Sequence, residues 1–264
     1  MKTGFDAESG LAFIRAGKGP AILLVHGFPL DSSMWHGQIG QLAESSTVIA
    51  ADLAGFGGSE LREATVSMDS LADRLARMLP GIGVVEPVVF CGHSMGGYVG
   101  WSFLRRHREK LRGLVLCHTR SAADSEVVAR GRRQTALQVL ESGAKKLVDD
   151  MLGKLLSRKT GIENPHVMEQ LQAIMNSARL ESVAAALLAM AGRVDSTQLL
   201  PQIDFPVLVV AGDHDQITPV DEMREMAEKI PGSTFETVAG TAHLAPMERP
   251  EEFNRIVAEF LSRL

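Results

Sequence analysis

The residues Gly92-His93-Ser94-Met95-Gly96-Gly97 carry a serine in the pattern Gly-x-Ser-x-Gly, after the apolar run Pro87–Cys91 and before a helical pattern. Strand, sharp turn and helix in that order make a serine hydroxyl project as a nucleophile. Side chains two residues before the serine, or two and three after it, would collide with the neighbouring strand and helix. Gly92, Gly96 and Gly97 remove them. The helix start also aims backbone N–H groups at any negative charge that develops there.

A hydroxyl is a poor nucleophile near neutral pH, so it needs a base, and the base needs a carboxylate to orient it. Of the eight histidines, His243 is the best placed, in Gly240-Thr241-Ala242-His243 between the last strand pattern and the final helix pattern. Asp215 lies in Gly212-Asp213-His214-Asp215-Gln216-Ile217-Thr218-Pro219, a loop on the same sheet edge. Asp213 competes for the acid role. Asp215 is preferred because it lies deeper in the loop and can reach a second loop, whereas Asp213 suits bonds to nearby backbone N–H groups.

The tetrahedral intermediate of acyl transfer needs two donors for its oxyanion. The N–H of Met95, directly after the serine, is one candidate, and the N–H of Phe28 in His26-Gly27-Phe28-Pro29 is the other. His26 is expected to bond to neighbouring loops rather than move protons. For His93, His118 and His214 the expectation is packing or pocket lining. The spacing of histidine, cysteine and carboxylate residues matches no metal-ligand pattern, so neither a metal nor a cofactor is expected. No substrate-binding residue can be named from the sequence.

The elements that carry these groups read as an α/β fold. Short β-rich runs at Ala21–Val25, Thr47–Ala51, Val84–Cys91, Leu111–Cys117, Val207–Ala211 and Thr234–Val238 alternate with helical patterns at Met34–Glu44, Met68–Leu79, Met95–His107, Pro219–Ile230 and Glu251–Leu264. A further strand at Leu11–Ala16 is expected to pair antiparallel at the sheet edge. The stretch from Thr119 to Phe205 far exceeds the roughly 30 residues of a βαβ unit. It reads as an inserted helical cap over residues 119–205, with breaks at Gly143, between Gly161 and Pro165, and at Gly192, on a core domain formed by residues 1–118 and 206–264. Its Leu, Ala and Met side chains suit the wall of an apolar pocket.

Composition excludes several classes. With 45% hydrophobic and 22% charged residues the chain is that of an ordinary globular protein. A net charge of −5 gives no reason to expect a nucleic acid as partner. Met1 to Gly10 lacks the apolar region of a secretory signal, and no apolar run approaches the roughly 18 residues of a membrane span. The expectation is therefore a cytoplasmic protein with no membrane partner, monomeric or homodimeric. Cys91 and Cys117 end strand-like runs and read as buried thiols.

Together these pieces closely resemble the α/β-hydrolase superfamily, on His26-Gly27-Phe28-Pro29, Asp52 through Ser59, Gly92 through Gly97, Gly212 through Pro219 and His243. Small esterases and 3-oxoadipate enol-lactonases look most similar. The resemblance implies an eight-stranded, mostly parallel sheet with its second strand antiparallel and helices on both faces. It also implies a serine hydrolase acting on a small carboxylic ester or lactone through an acyl-enzyme. Ser94 stands where haloalkane dehalogenases and most epoxide hydrolases of this fold carry aspartate. Two other activities fit the same framework: hydrolysis of a carbon–carbon bond in a β-diketone-like compound, and ligand reception without catalysis.

Overall fold

A computed structural model describes residues 1–63 and 65–264. Its eight strands are β1 (Lys2–Asp6), β2 (Leu11–Ala16), β3 (Ala21–Val25), β4 (Thr47–Ala51), β5 (Val88–His93), β6 (Leu111–Cys117), β7 (Val207–Gly212) and β8 (Thr234–Val238). They form one sheet in the order β1-β2-β4-β3-β5-β6-β7-β8. Strand β2 runs antiparallel to both neighbours, and the pairings from β4 to β8 are parallel.

Two strand expectations need correction. β2 is not the edge, because β1 lies outside it, with Lys2 opposite Arg15 and Asp6 opposite Leu11. The run Lys-Thr-Gly-Phe-Asp has little apolar content to betray it, since an outer strand is held by ladder hydrogen bonds more than by burial. β5 begins at Val88 rather than Val84. Pro87 has no N–H to give a ladder, and Val85 is exposed to solvent.

The helices are α1 (His36–Leu42), α2 (Met68–Gly81), α3 (Met95–Arg106), α4 (Glu126–Ser142), α5 (Lys145–Leu155), α6 (Arg158–Glu163), α7 (Pro165–Ser177), α8 (Leu180–Ala191), α9 (Val220–Glu228), α10 (Ala245–Glu248) and α11 (Pro250–Leu261). The helix expected from Met34 opens instead as a 3₁₀ turn over Ser32–Trp35, because the Asp31 carboxyl accepts the Ser33 N–H.

Side chains of the central strands alternate between two cores, as the period of two requires. Leu23, Val25, Phe90 and Leu116 point to the face covered by α2, α3 and α9. Ile22, Leu24, Cys91 and Val115 point to the face covered by α1 and α11. Cys91 and Cys117 are free, buried thiols.

The stretch between β6 and β7 holds α4 to α8. Gly143, Asn164 and Gly192 end or separate helices there, at the breaks read from the sequence. Asn164 makes no side-chain cap bond to α7, whose first residue is Pro165. The turns at Leu156–Ser157 and Ala178–Arg179 carry no glycine or proline and were invisible to that reading. Side chains of α4 and α8 join the core under α2 and α3, while those of α5 and α7 join the other. Among the described residues no single helix is long and apolar enough to cross a membrane.

A buried ion pair joins the two ends of this stretch. The Ser196 N–H donates to the Ser121 carbonyl at 2.9 Å. Beside it the Asp124 carboxyl meets Arg193 at 2.6 Å and Arg132 at 2.6 Å, and the Arg193 guanidinium lies 4.2 Å from the Tyr98 ring centre. Burial pushes the Asp124 carboxyl up, but the two arginines outweigh it and hold it below its ordinary range. Removing the carboxyl in Asp124→Ala leaves Arg193 buried and unpaired, which should cost about 3–5 kcal/mol. Chemical denaturation should show that loss, and Asp124→Ala with Arg193→Ala should cost less than the two single losses added. Additive losses would mean that the pair is not coupled.

Candidate active site

The chain leaves β5 through a turn that places Ser94 at φ 52° and ψ −111°, a conformation that residues with side chains rarely adopt. The close approaches around it explain the three glycines. A Cβ on Gly92 would fall 2.5 Å from the Gly96 carbonyl oxygen, one on Gly96 would strike the Val25 carbonyl of β3, and one on Gly97 would strike the Thr119 side chain. The Ser94 N–H donates to the Cys117 carbonyl at 2.9 Å, and Thr119 Oγ1 donates to the Ser94 carbonyl at 2.8 Å. The strained residue is thus held from both sides.

Three loops at the carboxyl edge bring the sequence-predicted residues together. Ser94 Oγ lies 2.9 Å from His243 Nε2. His243 Nδ1 lies 2.7 Å from Asp215 Oδ2. With Asp215 accepting, Nδ1 carries the proton and Nε2 is free to accept from the serine. Asp213 points elsewhere, its Oδ1 accepting the Gly240 N–H at 2.7 Å.

Asp215 is 6% exposed and takes five donors. Its Oδ1 accepts the backbone N–H groups of Ile217 and Thr218 at 2.8 and 3.0 Å. Its Oδ2 accepts Thr218 Oγ1–H at 2.7 Å and His118 Nδ1–H at 2.9 Å, besides His243. Burial pushes the carboxyl up, but the charge of His243 and the hydrogen bonds from His118 and His243 outweigh it. The group is held far below the ordinary carboxylate range and is ionised.

Sequence reasoning assigned His118 to packing, and it missed Glu248 and Thr218. His118 is fully buried at φ 48° on Asp215. Glu248 ties the histidine loop to the insertion, accepting from Ala242 N–H at 2.7 Å, Ser157 N–H at 2.8 Å and Thr160 Oγ1–H at 2.7 Å. The His243 N–H donates to the Leu155 carbonyl at 3.1 Å, and His93 Nε2–H donates to the His243 carbonyl at 2.6 Å. His93 therefore does more than pack. His214 is an exposed side chain beside Asp213. The one signal in the sequence for Glu248 was an acidic residue shortly after the histidine in an otherwise apolar stretch.

Phe28 and Met95 lie on the two segments that meet at the turn. Met95 is the first residue of α3, where backbone N–H groups have no partner within the helix. The loop after β3 packs on the turn so closely that a Cβ on Gly27 would lie 3.3 Å from the His93 carbonyl oxygen. His26 fixes that loop, donating from Nδ1 to the Gly27 carbonyl at 2.8 Å and accepting the Leu53 N–H at Nε2 at 2.9 Å. Both ring nitrogens are engaged, in line with the loop-bonding role read for it.

The nitrogens of His118 and His243 and the oxygen of Asp215 also lie within 4.8 Å of one another, a grouping that could in principle grip a cation. The nitrogen–oxygen separations of 2.7 and 2.9 Å are hydrogen-bond distances. Two donors about 2.0–2.1 Å from a tetrahedral zinc stand roughly 3.3 Å apart, so the atoms are packed for proton sharing.

Burial pushes His26, His93 and His118 down from the ordinary histidine value, for His93 well below it with help from the charges of His243 and His118. All three rings are neutral in the native state and free to protonate on unfolding. The unfolded chain therefore binds more protons once the pH drops below about 6.5, and stability is lost as pH falls. Each ring contributes up to about 1.4 kcal/mol per pH unit in that range. Urea midpoints should fall steeply from pH 7.5 to 5.5, and a flat profile would contradict buried neutral rings.

The family model for the alpha/beta hydrolase fold matches residues 20–250. A thermophilic esterase from Thermogutta terrifontis, solved with malate bound, is 41% identical and aligns at a TM-score of 0.94, over 96% of this chain and 93% of that one. The enol-lactonase from Burkholderia xenovorans LB400 is 25% identical, with a TM-score of 0.88 over 96% of both chains. 3-Oxoadipate enol-lactonase 2 of Acinetobacter baylyi is 26% identical over 261 residues, 99% of this chain and 96% of that protein.

Proposed function

The chain belongs to the α/β-hydrolase family, and from that premise we propose that it is a serine hydrolase of small carboxylic esters or lactones. The observation that carries the reading is the continuous path from Ser94 Oγ through His243 Nε2 and Nδ1 to Asp215 Oδ2, at 2.9 and 2.7 Å. His243 takes the serine proton as Oγ attacks the carbonyl carbon. The N–H groups of Met95 and Phe28 receive the oxyanion, and Asp215 stabilises the imidazolium that forms. The histidine then protonates the departing alkoxide, and water, deprotonated by the same ring, releases the acid. The esterase and lactonase relatives support an ester bond as the target.

In this reading residues 119–205 act as a cap on the core formed by residues 1–118 and 206–264. Support comes from contacts around the site. Leu155 accepts the His243 N–H, the Ser157 N–H donates to Glu248 on α10, and a Cβ on Gly55 would lie 2.9 Å from the Ser182 Cβ. Such a cap confines the acyl group to short chains. The charges along α4 and α5, among them Arg130, Arg133, Lys145 and Lys146, are paired with carboxylates at the surface and suit water rather than an oil interface.

A rate screen over p-nitrophenyl esters, lactones and β-diketones should find ester or lactone turnover that Ser94→Ala abolishes. Turnover of β-diketones alone would replace the proposal with carbon–carbon hydrolysis, and binding without any turnover would indicate a receptor. Ser94→Ala and His243→Ala should each lower kcat by roughly 10⁴ to 10⁶, with a double variant little worse. Asp215→Asn should lower it by on the order of 10³ to 10⁴, and Asp213→Asn far less. Additive losses, or the reverse ranking of the aspartates, would overturn the assignment. The acetate or butyrate ester should exceed the palmitate in kcat/KM by at least about tenfold, since methylenes without a pocket forfeit about 0.8 kcal/mol each. A steady gain with chain length would sink the closed cap.

A further inference from the structure

Asp215 Oδ2 is shared by two imidazoles, His243 at 2.7 Å and His118 at 2.9 Å, and only one of them reaches Ser94. His118 is not there by local preference. Its backbone lies at φ 48°, in the left-handed region that a histidine seldom occupies, and its side chain is completely buried. Its second ring nitrogen, Nε2, has no partner among the described residues. The single hydrogen bond made by the ring is the one to Asp215, and that bond is what a strained, buried imidazole supplies here.

We propose that His118 is a positioning residue that acts through its bond to Asp215 Oδ2 to restrain the proton affinity of His243. The proposal rests on the hydrolase reading above. Its physical basis is that the positive end of the His118 N–H dipole sits beside the same oxygen that stabilises the His243 imidazolium. It draws on the carboxylate and opposes a second positive charge alongside. The ring centres of His118 and His243 are 5.5 Å apart and both rings are buried, close enough for that opposition to act. The other groups facing His118 are His93 at the end of β5, with ring centres 5.5 Å apart, and the carboxyl of Glu248 from α10. Thr218 Oγ1 and the backbone N–H groups of Ile217 and Thr218 keep Asp215 in place when His118 is replaced. Loss of His118 therefore changes the charge balance on His243 more than the position of the carboxylate.

The test compares His118→Ala with His118→Asn. Asparagine tolerates the left-handed backbone and can present an amide N–H near the place of Nδ1. With p-nitrophenyl acetate, the acid limb of kcat/KM should move to higher pH by about half a unit or more in His118→Ala and return towards wild type in His118→Asn. A limb that stays in place while kcat falls, or one that moves to lower pH, would overturn the proposal. Proton NMR of the unmodified protein with labelled histidine provides a second arm that needs neither turnover nor a folded alanine variant. Two strongly deshielded ring N–H resonances are expected, with His118→Asn removing one and His243→Asn the other. One such resonance, lost only in His243→Asn, would refute the bond from His118. Labelling of Ser94 by a fluorophosphonate tests the hydrolase reading separately. If Ser94 fails to react, that reading falls, and the resonance pattern still decides whether His118 holds Asp215.

Discussion

Ser94 is held at φ 52° and ψ −111°, a conformation that costs on the order of 1–3 kcal/mol and persists only where the surroundings over-determine it. The surroundings do so by contact on every side. β3 presses its Val25 and His26 carbonyls against Gly96, the end of β6 receives the Ser94 N–H, and Thr119 caps the Ser94 carbonyl. Adjacent placement of β3, β5 and β6 in the sheet is what makes these approaches simultaneous. A strand order that separated them would leave the turn free to relax, and the serine would no longer project from the edge.

Beside this turn lies a buried polar layer whose groups hold one another. His93 fixes the carbonyl of His243, Leu155 its N–H, and Glu248 the N–H of the residue before it. Most buried polar groups are bonded, so such a network has few alternative arrangements. Its cost falls on stability at acid pH, because the rings that hold it together are kept neutral by burial.

The helical stretch between β6 and β7 takes part in both layers. Its helices contribute side chains to each core, and its α5–α6 turn supplies the carbonyl and donors that fix the histidine loop. The buried Asp124–Arg193 pair closes its neck against α3. Movement of this segment would therefore be felt at His243 through the bond between its N–H and the Leu155 carbonyl.

The sequence by itself determined the local chemistry. The glycines around Ser94, the alternating apolar runs of the inner strands, the order serine, aspartate, histidine, and the helices between β6 and β7 were all legible, because each follows from short-range sterics or from a periodicity of burial. Even the preference for Asp215 over Asp213 agrees with the distances, which set Asp215 at His243 and Asp213 at Gly240. Tertiary structure alone decided what depends on residues far apart in the chain. His118 and Asp215 meet because β6 and β7 are neighbours, and Glu248 finds Ser157 because the insertion folds back on the histidine loop. An edge strand such as β1 escaped notice for the opposite reason, since its ladder bonds leave no apolar pattern to read. A histidine or a glutamate carries the same letter whether it is solvated or buried on a partner, and only the packing of distant segments settles which.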